Sequence, residues 1–176
     1  MGVSVVLWPL VALLACWLVG VHARLKRLRN ACWLAVDNVD RGLQSLLQVA
    51  KEALDRPDPA TKAHEVLTVA ALQLSLSLKT MRSGKRITVR EDEPLALGAQ
   101  WAELSVAWES FCGVHQDLIE PQALERLRNS WEEAHNHALF AKTTANQTMH
   151  DYNAALQQAP AAWVARRMGF IAATPL

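Results

Sequence analysis

Apolar side chains recur at alternating steps of three and four residues along the last third of the chain. The set begins at Leu124 and ends at Ala155, and only Thr148 within it is clearly polar. Its members are Leu124, Leu127, Trp131, Ala134, Ala138, Ala141, Ala145, Thr148, Tyr152 and Ala155. This spacing is typical of one face of a helix that packs against others in a left-handed supercoil. The pattern therefore predicts a long helix over Pro121–Ala159, which requires partners of similar length.

Three more segments have the same spacing and supply those partners. The first carries Leu25, Leu28, Cys32, Ala35, Val39, Gly42, Leu46, Val49 and Ala53. The next two carry Leu67, Ala70, Leu74, Leu78 and Met81, and then Leu97, Trp101, Leu104, Trp108, Phe111, His115 and Leu118. Gly42 has a cost as a helix residue but permits close approach of a neighbouring helix.

Proline and glycine separate these segments, because proline favours the first turn of a helix and glycine the residue after its end. Asp58-Pro59 is predicted to begin the second helix, which ends near Ser83, and residues 85–93 are predicted to form a charged loop. The other boundary residues are Gly84, Glu93-Pro94, Glu120-Pro121, Pro160 and Gly169. The last two enclose a short helix over Ala161–Met168.

Four long helices with short connections, and no alternating strand pattern, predict an all-α fold. The expected architecture is a long antiparallel four-helix bundle with coiled-coil-like packing. The alanines of the fourth helix suit close packing against the large Trp101, Trp108 and Phe111 of a neighbour. A chain of 176 residues is short enough for a single domain of this kind.

The N-terminal apolar stretch differs because it has no polar face. Val3–Val21 is 19 residues long, without a charged side chain, close to the roughly 20 residues that a transmembrane helix needs. The membrane-proximal basic residues Arg24, Lys26, Arg27 and Arg29 follow directly. The positive-inside rule then places the N-terminus outside and the bundle in the cytoplasm. The predicted organisation is a transmembrane anchor over 1–23 and a bundle over 24–176.

Cleavage of this segment is a second interpretation, which would leave a periplasmic bundle. Val21-His22-Ala23 fits the positions that a signal peptidase recognises, and Leu13-Leu14-Ala15-Cys16 faintly resembles a bacterial lipoprotein box. Both processing signals need a positively charged region before the apolar stretch, and Met1–Leu7 contains no charged side chain. We therefore favour an uncleaved anchor.

Charge and cysteine content exclude two classes of protein. Residues 30–176 hold the remaining 14 Lys and Arg against all 17 Asp and Glu, a net charge of −3. A broad basic face for nucleic acid is therefore not expected. Cys16, Cys32 and Cys112 are odd in number and widely spaced, so no disulfide framework is indicated.

Two residue pairs carry candidate chemistry. Glu132 and His135 have the spacing of bundle di-metal sites, but those sites need a second such pair and two more carboxylates. Cys112 and His115 lie about one helical turn apart, but a thiol nucleophile also needs an orienting group and a cleft. We favour a solvated helix face and a hydrogen-bonded core histidine. The prediction is no enzymatic activity, no cofactor and no metal, with a metal-binding or thiol enzyme or sensor as the alternative.

The C-terminal part of the chain resembles the LemA family. The resemblance rests on Phe140-Ala141-Lys142, Asn146, Asp151-Tyr152-Asn153, Pro160, Ala165 and Gly169-Phe170, with weaker support from Leu28-Arg29-Asn30, Ala35, Asp40 and Leu43. The chain resembles a divergent member, since Ala145-Asn146 and Ala159-Pro160 replace the family's first Tyr-Asn pair and its Phe-Pro. The resemblance implies a single-span protein of the bacterial inner membrane with a long antiparallel bundle, and it supplies no catalytic residues.

The predicted function is therefore a membrane-anchored helical scaffold or adaptor. Its expected partners are the lipid bilayer, through residues 3–21, and unidentified proteins. The candidate interaction surface comprises Tyr152, Asn153, Trp163, Arg166, Arg167, Gly169 and Phe170. In an antiparallel bundle this segment returns towards the membrane. It then either contacts the bilayer surface or caps the open end of the bundle, and we slightly favour the cap.

Overall fold

The computed structural model of the protein describes residues 3–56, 61–83, 92–159 and 161–176, without the side chains of residues 3–7, 9–10, 83 and 92–95. Five helices and no strand lie in the described ranges. They are α1 (Val3–Leu54), α2 (Lys62–Ser83), α3 (Asp92–Val114), α4 (Pro121–Gln157) and α5 (Ala161–Met168). The helices pack against one another around a shared apolar core. The predicted all-α class and helical bundle are thus confirmed.

The bundle is built on the antiparallel pair of α1 and α4. Gly42 of α1 lies against Ala138 of α4, and the Cys32 thiol lies 3.6 Å from the Thr148 carbonyl oxygen. Residues later in α1 therefore contact residues earlier in α4, as in any antiparallel pair. The second pair is α2 with α3. The two pairs are joined by polar and aromatic contacts: Arg82 donates two hydrogen bonds to Asp40, at 2.8 and 3.0 Å, and the rings of Trp108 and Trp131 stack at 4.4 Å.

The close approach of α1 and α4 depends on the missing side chain of Gly42. A Cβ atom added there would lie only 2.7 Å from the Cα atom of Ala138 and 3.0 Å from its Cβ atom. The predicted role of Gly42 is therefore confirmed. The interpretation of the alanines needs a correction, because Ala138 faces a glycine of α1 and not a large aromatic side chain of α3.

The predicted faces are fully buried except at Leu28 and Met81, which are partly exposed, and at two positions where a neighbouring residue is buried instead. On α4, Thr148 is partly exposed and the neighbouring Met149 is buried, because 3.6 residues per turn shifts a strict heptad pattern around the helix. After α3, Leu118 is exposed and Ile119 is buried. Here the helix has already ended, and the amides of both residues donate to the His115 carbonyl in a turn. Helical spacing therefore no longer predicts burial.

The predictions hold for the end of α2, the start of α4 and both ends of α5. They are wrong for the start of α2, which begins at Lys62 after the non-helical Thr61, and for the end of α3, which lies at Val114. α1 continues without a break from the apolar stretch into the bundle, and Gly169 ends α5 with a φ of +71°. α4 ends two residues earlier than predicted, at Gln157. The loop predicted over residues 85–93 is wrong at its end, because α3 begins at Asp92. Asp58, Pro59, Gly84, residues 85–91 and Pro160 lie outside the described residues.

Within the part of the chain that the structure describes, no helix is long and apolar enough to cross a membrane. The side chains of residues 3–7 and 9–10, at the start of the predicted anchor, lie outside the described part. The anchor therefore stays a prediction.

We expect Gly42→Ala to lower the free energy of unfolding. Alanine gains about 1 kcal/mol in helix propensity, but the added methyl group overpacks the contact with Ala138, which typically costs about 1–3 kcal/mol. Urea unfolding followed by circular dichroism measures the net change.

Gly98→Ala is the matched control for this substitution. Gly98 also lies inside a helix, but a Cβ atom there has no neighbour within 4 Å. This variant should be more stable than the parent by about 0.5–1 kcal/mol. An equal gain in stability at both glycines would contradict the close-approach interpretation.

Candidate functional site

Residues 170–176 form a non-helical segment that folds back along α4. The reversal occurs at Gly169, whose positive φ is a conformation that glycine adopts at low cost. The amide of Phe170 donates to the Ala165 carbonyl at 3.0 Å, the pattern of a Schellman cap. The end of α5 therefore directs the following residues towards α1 and α4. We call residues 170–176 the tail.

Two asparagines of α4 hold the backbone of the tail. The Asn153 side chain donates to the Ala173 carbonyl at 2.7 Å and accepts from the Ala173 amide at 2.8 Å. The Asn146 side chain donates to the Leu176 carbonyl at 3.1 Å and accepts from the Leu176 amide at 2.8 Å. Each side-chain amide thus pairs with both backbone groups of one tail residue. The tail runs antiparallel to α4.

Tyr152 provides a third polar contact with the tail and is part of the apolar cluster on which the tail packs. Its hydroxyl donates to the Ile171 carbonyl at 3.0 Å, and its side chain is fully buried. Ala173 is buried in the same cluster, which contains Cys32, Met149 and Tyr152. Burial raises the pKa of Tyr152, the nearby Arg29 charge opposes this shift, and Cys32 adds to it. The phenol is therefore held in its neutral, hydrogen-bond-donating form.

Phe170 connects the tail to the part of α1 that contains His22 and Arg29. Its ring meets the His22 ring edge-on at 5.7 Å, and the Arg29 guanidinium lies 5.4 Å from its centroid. The ring also packs against the cluster formed by Leu25, Ala155 and Ala165. The C-terminal segment therefore covers the end of the α1–α4 pair, as expected for a cap.

The predicted interaction surface divides into two groups. Tyr152 is buried, and Asn153 and Phe170 are partly buried in contacts within the fold. The exposed members are Trp163, Arg166, Arg167 and Gly169. α5 contacts both α1 and α4, so the exposed group lies at the same end of the bundle as the basic residues of α1.

This end of the bundle carries positive charge without nearby acidic sequence. Arg24, Lys26 and Arg27 are exposed on α1, and Arg166 and Arg167 are exposed on α5. Residues 1–36 and 152–176 contain no Asp or Glu. N-terminal to the basic residues, α1 is an exposed apolar stretch, in which Trp8, Leu13 and Val19 are 76%, 73% and 69% exposed.

A second surface feature lies between α2 and α3, towards the α1–α2 connection. It is an open groove of about 770 Å³, lined mostly by apolar side chains that include Val66, Val69 and Val106. Lys62, Glu65 and Glu103 contribute charge to its lining. No sequence motif predicted this groove.

In the Cys112–His115 pair, both ring nitrogens of His115 have partners other than the Cys112 thiol. His115 is fully buried, stacked on Phe111 at 4.1 Å, with Nδ1 2.9 Å from the Phe111 carbonyl oxygen and Nε2 3.4 Å from the Thr61 hydroxyl. Burial raises the pKa of the Cys112 thiol, an effect that the Arg128 side chain opposes and Glu109 reinforces. A raised pKa is the opposite of what thiolate chemistry requires.

The Glu132–His135 pair has no companions of a metal site in the part of the chain that the structure describes. Among the described residues no three His, Cys, Asp or Glu side chains come together as a metal-binding group. Glu132 is exposed, and the His135 ring lies 5.4 Å from the Trp101 ring. The local geometry is that of a helix surface with an aromatic contact.

Sequence reasoning missed the tail as the partner of α4. Asn146 enters the sequence predictions only through the family resemblance, and Asn153 also as part of the predicted interaction surface. Their separation of seven residues nevertheless places both on one helix face. That spacing is the signal that indicates a repeated contact. The partner residues in the tail have no periodic pattern from which to predict it.

Comparison with protein-family models, curated proteins and solved structures finds no match to this chain.

We expect Tyr152→Phe to lower stability at neutral pH and to weaken its alkaline dependence. Loss of the hydrogen bond to Ile171 should cost about 0.5–1.5 kcal/mol. Because the pKa of Tyr152 is raised in the folded state, its contribution is complete below the ordinary value of about 10 and is lost as pH rises above it.

The measurement is the free energy of unfolding of both proteins at pH 8 and pH 11. The raised thiol pKa of Cys112 affects both proteins alike. Because Cys32 is coupled to Tyr152, both proteins are compared with Cys32→Ala present. The stability difference between them should therefore shrink at pH 11. A difference that stays constant with pH would show that Tyr152 does not titrate as the structure indicates.

Proposed function

We propose that the protein is a membrane-anchored, non-enzymatic helical scaffold or adaptor of the LemA type, with its bundle in the cytoplasm of a bacterium. The observation that carries this proposal is the N-terminal part of α1, which extends beyond the bundle with apolar side chains exposed on all sides. A helix of this kind needs a bilayer or another protein to cover it.

The exposure pattern along α1 supports the position of the anchor. Residues 11–17 are all exposed, and Leu25 is the first side chain of α1 that belongs to the bundle core. Within the uncharged sequence from Val3 to Val21, Trp8, residues 11–17 and Val19 are exposed, and Val21 is the first side chain described in this stretch that packs against a core cluster. The anchor and the bundle therefore use different stretches of one continuous helix.

The basic end of the bundle supports the proposed orientation. Arg24, Lys26 and Arg27 follow the anchor directly, and α5 adds Arg166 and Arg167 on the same end. Each basic residue near an anionic leaflet contributes about 1 kcal/mol of attraction. Trp163 is exposed beside these arginines, and tryptophan is enriched at membrane interfaces.

The scaffold interpretation rests on surfaces and not on reactive groups. The two residue pairs that suggested chemistry are engaged in packing or lie alone on a helix surface. The open apolar groove between α2 and α3 lies in the half of the bundle that contains the α1–α2 connection. It is an exposed apolar surface away from the basic end.

We expect the chain to remain with the membrane after alkaline carbonate washing, and the double variant Leu13→Lys, Leu14→Lys to become soluble. Each charge near the centre of the anchor costs about 2.5–3.5 kcal/mol of insertion. Cell fractionation followed by immunoblotting measures the distribution.

Leu72→Lys with Leu76→Lys is the matched control. These leucines are 58% and 59% exposed on α2, comparable with Leu14 at 57%. The control should stay with the membrane. A wild-type chain that washes off, or equal release of the two double variants, would refute the anchor.

A reporter fused after Leu176 tests the orientation. A reporter that is active only in the cytoplasm should be active, and one that requires export should be silent. Changing Arg24, Lys26 and Arg27 together to Gln should give mixed orientation, because these charges set topology. Arg166→Gln with Arg167→Gln is the control and should not change it. Activity of the export-dependent reporter on the wild-type chain would place the bundle in the periplasm.

A further inference from the structure

We propose that the surface formed by Asn146, Tyr152 and Asn153 of α4, with Cys32 of α1, is a peptide-binding site that the tail occupies within the same chain. Its ligand class is an uncharged extended segment with a small residue followed, three positions later, by an aliphatic one. A partner protein that carries such a segment would bind there by displacing the tail. This inference does not depend on membrane attachment.

The polar groups of the site bind the backbone of the tail and not its side chains. All five hydrogen bonds from Asn146, Tyr152 and Asn153 are made with amides or carbonyls of tail residues. Such pairing imitates the edge of a β-sheet, where main-chain hydrogen bonds give affinity independently of sequence. A peptide from another protein presents the same groups.

The spacing of the two asparagines matches an extended chain. Seven residues of α-helix separate them by about 10.5 Å along the axis. The three residues from Ala173 to Leu176 span about 9–10 Å when extended. Residues three apart also lie on one side of a polyproline II helix, which Pro175 favours. One residue of the ligand therefore meets each asparagine.

Selectivity comes from Ala173 and Leu176, the two tail residues whose backbone the asparagines hold and whose side chains pack against the apolar clusters. Ala173 is 4% exposed against Cys32, Met149 and Tyr152, which leaves no room for a larger side chain. Leu176 is partly buried against the core. Ile171, Ala172 and Pro175 are exposed and impose no selection. The recognised pattern is thus small-x-x-aliphatic.

The tail is suited to exchange because three of its seven residues are exposed and three more are only partly buried. Ala173 is its only fully buried residue, and Gly169 provides the hinge through which it is attached. A tethered segment competes at an effective concentration of about millimolar. A partner segment must therefore be concentrated enough, or bind tightly enough, to compete with the tethered tail.

Fluorescence anisotropy with the full chain tests the proposal directly. The probe is a synthetic peptide with the sequence of residues 169–176, labelled at its N-terminus. Ala173→Arg in the chain should release the tail, because an arginine does not fit the buried position, and leave the site open. This variant should bind the probe at least about tenfold more tightly than the wild-type chain, whose tail competes.

Two changes should abolish this gain. Adding Asn153→Ala to the Ala173→Arg chain should weaken probe binding by about tenfold or more, because two hydrogen bonds are lost. A probe with arginine in place of the residue equivalent to Ala173 should not bind. Ala172→Arg is the matched control, since Ala172 is exposed, and it should behave like the wild-type chain.

Circular dichroism and limited proteolysis identify a valid test chain. A helical Ala173→Arg chain with a cleavable tail that does not bind the probe overturns the proposal, and so does binding that is indifferent to Asn153→Ala. If Ala173→Arg fails to fold, Leu176→Glu releases the tail from its less buried end. The same results then support or overturn the proposal.

Discussion

The close antiparallel contact between α1 and α4 is the constraint on which the rest of the structure depends. It is closest where Gly42 meets Ala138, and it continues through Cys32 and Thr148. Helices can approach this closely only where both contribute small residues, so the alanine-rich face of α4 and the single glycine of α1 act together. The larger aromatic side chain of this face lies two turns nearer the start of α4, where Trp131 stacks on Trp108. The buried face of α4 is therefore tight at Ala138 and filled by bulky rings towards its N-terminal end.

The register of this pair also positions the candidate site. With Gly42 opposite Ala138, the heptad position of Asn146 and Asn153 falls beside the α1–α4 seam near Cys32. The tail can then place Ala173 in the seam while its backbone meets both asparagines. A change of register by one residue would rotate these asparagines away. Helix packing and tail binding are thus consequences of the same contact.

Periodicity predicted the helices and most of the core because both follow from local spacing. The predicted face of α4 is buried at nine of its ten positions, and the exception, Thr148, arises from helical drift towards Met149. The predicted burial of Leu118 was wrong because helical spacing does not determine burial after a helix has ended. The candidate site was only partly predictable: Tyr152 and Asn153 were identified from a resemblance, as a surface. Their partners in the tail lie 19 and 20 residues away, in a segment without a periodic pattern. A contact of that kind is specified by three-dimensional packing alone.

The basic end and the tail meet at one side chain, and this connects the two proposals physically. Phe170 is the first residue of the tail, and it lies between His22 and Arg29 at the start of the bundle. Tail displacement that includes Phe170 would expose its ring and free the Arg29 guanidinium from it. Both changes favour an anionic membrane surface, because an exposed aromatic ring partitions into the interface and a freed cation is attracted to headgroups. On the proposed topology, a partner segment that replaces the tail therefore also increases the contact between the bundle end and the bilayer. Since linked equilibria are reciprocal, membrane contact at this end would in turn make the peptide site easier to open.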